Sequence, residues 1–323
     1  MMMTSAPAVR PVCLALLFFI IVRSSNPAVA QSNGTSDIHA VQIAMRNVTY
    51  HYTGPITVHI VQLQGELLPT KPGAIVVFDD KNSFTLALAS AEISITCNAL
   101  AQVLNENVFS AADSPIKNLS IESRNSRLIM KGKLHQNRDI PFETEGVLMA
   151  EPDGRIRLHT EHLKASHLPL KGLLDLLGIN IARMIDTRKI QGISADKDDL
   201  ILNPEQILPP PHIQGRVSAI RLQGNDIVQV FGTTQPSNFA AKQSGNYLAF
   251  RHGDMQFGKL TMHDSDLIMI DMDPRDPFDF FLDHYQDQLV AGYTKSTPQY
   301  GLRTYTRDYN KLRSGTAAAQ SRK

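Results

Sequence analysis

In 54-GPITVHIVQLQGELLP-69 the apolar side chains fall on every second residue, Ile56, Val58 and Ile60, and then change phase to Val61, Leu63 and Leu67. Alternation of period two is the pattern of a half-buried strand. A one-residue shift of phase swaps the faces, so a strand running through this stretch requires a bulge or a sharp bend near Ile60. A long strand with a built-in bend predicts a curved sheet, and the neighbouring stretches extend it.

On the C-terminal side, 74-AIVVF-78 and 84-FTLALAS-90 read as further strands, the second with Phe84, Leu86 and Leu88 on one face and small residues on the other. A meander follows at 118-NLSIES-123, 126-SRLIMKGKL-134, 140-IPFETEGVLMA-150 and 154-GRIRLHTEHL-163. Its segments are separated by turn residues at Arg124-Asn125, Asn137-Arg138-Asp139 and Pro152-Asp153-Gly154, and strands joined so tightly are antiparallel. A last set comprises 216-RVSAIRLQG-224, 226-DIVQVFG-232, 246-NYLAFRHG-253, 255-MQFGKLTMH-263 and 266-DLIMIDM-272. Pro209-Pro210-Pro211 lacks ladder donors and is expected as an extended crossover or a sheet edge, and 233 to 245 as a loop.

Two segments break the rhythm. In 94-SITCNALAQVLNENVF-109 the residues Leu100, Val103, Leu104 and Val108 recur at helical spacing, with Ser94 or Thr96 as N-cap. In 167-HLPLKGLLDLLGINIARMID-186 the residues Leu170, Leu173, Leu174, Leu177, Ile181, Met184 and Ile185 do the same, with Pro169 in the first turn. The fold expected is α+β, mostly β: a long, strongly curved antiparallel sheet wrapped around two amphipathic helices. The organisation expected is a signal peptide at 1–30, a flexible lead-in at 31–40, one body at 41–272, a C-terminal helix at 273–294 and a basic, loose tail at 295–323.

The leader carries Arg10, an apolar run from Val12 to Val22, and Ala28-Val29-Ala30 before Gln31. Positive charge, a short apolar core and a small-x-small site form a cleavable secretory signal, and the run is too short to span a bilayer. Export to the periplasm or the extracellular space follows. Of the two cysteines, Cys13 lies in that leader, so Cys97 alone remains after cleavage and no internal disulfide is expected. A net charge of +1 argues against a nucleic-acid partner.

No catalytic residue, metal site or cofactor is expected. G-x-S-x-G is absent, and Cys97 falls within an apolar helix. His159-Thr160-Glu161-His162 puts His159 and Glu161 on one strand face and His162 on the other, so the three do not converge on one ion. The acidic run Asp264, Asp266, Asp271, Asp273, Asp276, Asp279 and Asp283 lacks the glycine and terminal glutamate of a calcium loop and reads as a wet strand face with turn signals. The tail, with Lys295, Arg303, Arg307, Lys311, Arg313, Arg322 and Lys323, reads as a solvated end; folding back on the acidic run and contact with an anionic membrane surface are the alternatives.

Apolar surface without chemistry is what the sequence offers in quantity. A curved sheet over Leu-rich helices encloses either an elongated groove that holds acyl chains or a solid core. The order of segments, a helix at 94 to 109, the meander ending in 140-IPFETEGVLMAEPDGRIRLHTEHLKASHLP-169, the second helix, then 192-GISADKDDLILNPEQILPPPHIQGRVSAIRLQGNDIVQVFG-232, resembles bacterial exported lipid-binding proteins of the LmeA-like kind. These are similar in turn to the tubular lipid-binding superfamily. The resemblance covers roughly 84 to 232 and implies non-enzymatic binding or carriage of a lipid or other long apolar molecule in the cell envelope. An envelope scaffold with a solid core and an unrecognised hydrolase are the rival functions. Ligand-lining residues expected on the two helices are Leu100, Val103, Leu104, Leu173, Leu174 and Leu177. The terminal block 273-DPRDPFDFFLDHYQDQLVAGY-293 departs from the family pattern and leaves open whether a tube would be closed at that end.

Overall fold

Period-two alternation becomes strand almost throughout. The computed structural model describes residues 40–53, 56–135, 139–165, 168–169, 191–197, 199–232 and 242–312. The first strands are β1 (Val41–Thr53), β2 (Ile56–Pro69), β3 (Val76–Val77) and β4 (Phe84–Thr96), followed by helix α1 (Cys97–Val103), which continues as a π-helical segment, Leu104–Val108. The meander is β5 (Ile116–Arg124), β6 (Arg127–His135), β7 (Asp139–Ala150) and β8 (Ile156–Ala165), then β9 (Leu168–Pro169), β10 (Ile193–Asp196) and β11 (Asp199–Leu202). Helix α2 (Pro204–Ile207) precedes β12 (His212–Gln214), β13 (Val217–Gln223), β14 (Asp226–Gly232) and β15 (Tyr247–Arg251). The chain continues through β16 (Met255–Phe257), β17 (Leu260–Met262), β18 (Asp266–Asp271), β19 (Phe278–Phe281), helix α3 (Tyr285–Val290), β20 (Tyr293–Ser296) and β21 (Leu302–Thr306).

These strands form an open 11-stranded sheet, β13-β14-β4-β2-β1-β15-β18-β21-β20 with β12 and β19 as side branches, a 7-stranded sheet, β10-β11-β8-β7-β6-β5 with β9 on β8, and a small β17-β16-β3 sheet. No closed barrel occurs among the described residues. The long strands explain the branches. One edge of β1 takes β15 antiparallel at 42–46 and β19 parallel at 48–51, and one edge of β4 takes β12 parallel at 85–87 and β14 antiparallel at 90–96.

The bend expected near Ile60 is present. Between β2 and β4 the register shifts at Ile60/Gln62, leaving Val61 as the extra residue, and shifts back at Gln64/Gly65. Val61 is consequently 40% exposed while Ile60, Leu63 and Leu67 point into the core. The β5–β6 hairpin closes through Asn125 and Ser126, both at positive φ, which matches the two-residue turn suited to twisted strands.

Four expectations need correction. The helix at 94 to 109 starts later, because β4 runs on to Thr96; Thr96 Oγ1 accepts the Ala99 amide at 3.0 Å and caps α1. The second helix was expected from 167, but Leu168–Pro169 pairs with β8 as a strand; residues 170–190, including Leu173, Leu174 and Leu177, lie outside the described residues. Residues 273–294 are helical only at Leu282–His284 and Tyr285–Val290, since Phe278–Phe281 extends along β1. The tail from 295 is not loose as far as it is described. Leu302–Thr306 pairs parallel with β18 and antiparallel with β20, a non-local partnership invisible to local pattern. The signal peptide and lead-in, residues 1–39, lie outside the described residues. No helix among the described residues is long and apolar enough to cross a membrane.

Candidate functional site

Helix α1 and its π-helical extension contribute a wall to each of two apolar cavities. Leu100 and Leu104, four residues apart and so on one helical face, line the first, together with the inner face of the 7-stranded sheet. Val103, about 100° further round, lines the second, under the 11-stranded sheet. Of the six residues expected from sequence to line a ligand, these three are placed on cavity walls. The side chains that sequence reasoning missed come from the meander: Leu128, Met130, Leu134, Phe142 and Leu158. Their signal was available as the alternate apolar residues of each strand.

The first cavity has a volume of about 70 Å³ and the second about 90 Å³. One water-sized sphere needs roughly 10–15 Å³ on this measure, so each void is several times larger than the gaps normally left in a close-packed interior. No charged side chain lines either one among the described residues. In the second cavity Tyr50 and Gln229 interrupt the aliphatic wall, and Leu208, Pro209 and Pro211 of the proline-rich crossover form part of it. Burial raises the Tyr50 hydroxyl well above its ordinary value, with Asp283 adding to the effect, so it stays a neutral phenol.

The π-helical turn is fastened to the meander at a bulge. Asn105 donates from Nδ2 to the Leu119 carbonyl at 2.7 Å and accepts the Leu119 amide at its Oδ1 at 3.0 Å. The β5–β6 register skips there between Lys117 and Ser120, and Asn118 sits at positive φ. Asn105 thus satisfies backbone groups that the ladder leaves out, and holds Leu104 over the cavity.

One wall group in the first cavity is polar and unsatisfied. Thr144 is 4% exposed, and its Oγ1 has no hydrogen-bond partner among the described residues. Leaving a buried hydroxyl unpaired costs about 1–3 kcal/mol. Thr160, on the adjacent strand, is the other polar side chain on that wall.

One end of the 11-stranded sheet carries an aromatic cluster, and Phe78 of that cluster also lines the second cavity. Phe78 lies at the centre of a ring cluster, 4.8 Å from Phe257, 5.2 Å from Phe250 and 6.2 Å from both Phe280 and Tyr285 between ring centroids. Phe278 and Phe280, from the block the family pattern lacks, are fully buried.

The polar clusters are structural. His51 Nε2 bonds Asp279 across the β1–β19 pairing, and the buried Gln288 donates to the Asp279 and Arg307 carbonyls at 2.9 and 2.8 Å. Lys311 Nζ lies 2.6 Å from Asp308 and 3.0 Å from both Asp273 and Asp276, while Arg303 donates to Asp266 at 3.0 Å. Arg303 and Lys311 therefore fold back on the acidic run, the first of the two alternatives to a solvated end, while Arg313, Arg322 and Lys323 lie outside the described residues. Hydrogen bonds from Arg275 and Lys311 hold the Asp273 carboxyl well below its ordinary range, whereas burial outweighs Lys311 at Asp308 and raises it.

His159 bonds Asp199 at 2.6 Å and Glu161 pairs with Arg127, both away from the cavity that Thr160 faces. No group of three or more metal-ligating side chains occurs among the described residues. Cys97 is fully buried, and burial, with Asp226 nearby, raises its thiol, an environment that suppresses thiolate chemistry. The chain matches no family model, no curated protein and no solved structure.

Proposed function

We propose that this chain binds, without turnover, a lipid or another long apolar molecule, and that it does so in the cell envelope after export by its N-terminal signal. The observation that carries the reading is the pair of apolar voids flanking α1, about 70 and 90 Å³. A scaffold has no use for unfilled apolar volume, because each missing contact weakens the fold. The sequence resemblance to exported lipid-binding proteins points the same way.

In this reading the curved sheet supplies most of the ligand wall and α1 the remainder. The second expected helix, with Leu173, Leu174 and Leu177, enters on sequence grounds alone as a further apolar wall. Contact with a membrane surface, if the tail takes part, falls to cations other than Arg303 and Lys311, which are engaged with Asp266, Asp273, Asp276 and Asp308.

Mass spectrometry of organic extracts from the purified protein tests the reading. A lipid recovered in near-stoichiometric amount is expected, and Leu104→Trp, which fills the first cavity from α1, is expected to fold and to retain less of it. Extracts free of apolar molecules, together with failure to bind any added acyl compound, would sink the proposal.

A further inference from the structure

We infer that the ligand of the first cavity is an uncharged apolar molecule with one hydrogen-bonding group in its buried part, and that Thr144 Oγ1 is the partner of that group. The inference rests on the apolar-binding reading above and specifies its chemistry.

The inward row of β7 is Phe142, Thr144 and Leu148, all on the wall of this cavity, with Gly146 buried between them. In such a row an aliphatic side chain would serve packing best, and valine has nearly the shape of threonine. The chain instead places a hydroxyl there. The strand's own backbone groups are occupied by β6 on one side, where Thr144 pairs with Met130, and by β8 on the other, where it pairs with Leu163. The hydroxyl is therefore presented to the void, 4% exposed and unpartnered among the described residues. A buried polar group without a partner is rare and calls for one.

The surrounding wall sets the ligand's class. With no charged side chain on it among the described residues, an ionised head within the cavity would be desolvated without compensation, which disfavours a carboxylate, phosphate or ammonium at that depth. A hydroxyl, ester or ketone oxygen, or an amide, meets the Thr144 hydroxyl as donor or acceptor. A single water is a poorer occupant, since a buried water typically makes about three hydrogen bonds and the described residues of the wall supply two polar side chains, Thr144 and Thr160.

The test is displacement of N-phenyl-1-naphthylamine from the full chain by dodecane, 1-dodecanol, dodecanoate and dodecyltrimethylammonium. Dodecanol is expected to displace the probe at roughly one-tenth the concentration of dodecane, the difference of one net hydrogen bond, with both ions weaker than the alcohol. Thr144→Val should abolish the preference for the alcohol while leaving dodecane unchanged, and Thr144→Ser should retain it. The ligand-free Thr144→Val protein should melt no lower than the parent, because it loses an unpaired hydroxyl. A preference that survives in Thr144→Val, or a lower melting temperature for that variant, overturns the assignment while leaving apolar binding intact. Failure of all four compounds to displace the probe overturns the apolar-binding reading and this inference with it.

Discussion

The inner face of the 11-stranded sheet and that of the 7-stranded sheet are built from the same kind of alternating strands and each borders an apolar cavity, yet the first is plugged at one end by aromatic rings and the second is lined mainly by aliphatic side chains. At the first, Phe78, Phe250, Phe257, Phe280 and Tyr285 meet ring to ring, brought together from four separate parts of the chain. At the second, leucines and isoleucines from β5 to β8 face a void of about 70 Å³ capped by Leu100 and Leu104. Rings fill irregular space with few rotatable bonds and favour a rigid plug, whereas branched aliphatics along a curved sheet leave a cavity when nothing stands opposite. In the proposed reading the difference divides stability from binding: the aromatic plug holds the C-terminal block in place, and the aliphatic cavity remains available.

The largest effect that would sharpen this contrast is Phe78→Ala, which removes the centre of the ring cluster. It is expected to cost about 3–5 kcal/mol in urea unfolding, while Leu134→Ala on the cavity wall falls at or below the low end of the leucine range, about 2 kcal/mol. Equal costs would erase the distinction between the two regions.

Enlarging side chains gives the intermediate test. Leu248→Phe, at a fully buried position on β15, is expected to overpack and destabilise by about 1–3 kcal/mol. Leu134→Phe, which points into free volume, should change stability by less than about 1 kcal/mol. A large penalty at Leu134, measured by melting temperature on the ligand-free protein, would mean that the cavity is not available space.

The smallest effect concerns the fastening of the C-terminal block. Because Arg275 and Lys311 lower the Asp273 carboxyl in the folded chain, its contribution is fully present above the ordinary carboxylate value of 3.8 and is lost as pH falls through the lowered value. Asp273→Asn should melt slightly below the parent at pH 6, and the two melting curves should converge as pH falls below 3.8. A gap that stays constant across that range would show that the ion pairs do not carry it.

Alternation along the chain was sufficient to locate the long strands of the meander and the central hairpins, the bulge at Val61 and, by helical spacing, Leu100, Val103 and Leu104 on the cavity walls, because these follow from local geometry and from which face is apolar. It also showed that Cys97 is the single cysteine after Cys13. It did not reveal partners. That β19 lies parallel on β1, that β21 lies parallel on β18, and that Lys311 closes onto Asp273 and Asp276 are decided by pairings between residues 35 to more than 200 positions apart, for which the local pattern carries no signal. The hollow beside Thr144 was hidden for a related reason. In sequence Thr144 is one more alternate residue of a strand, and only the tertiary structure shows that none of the described residues partners its hydroxyl, since a void is a property of several distant segments failing to meet rather than of any one of them.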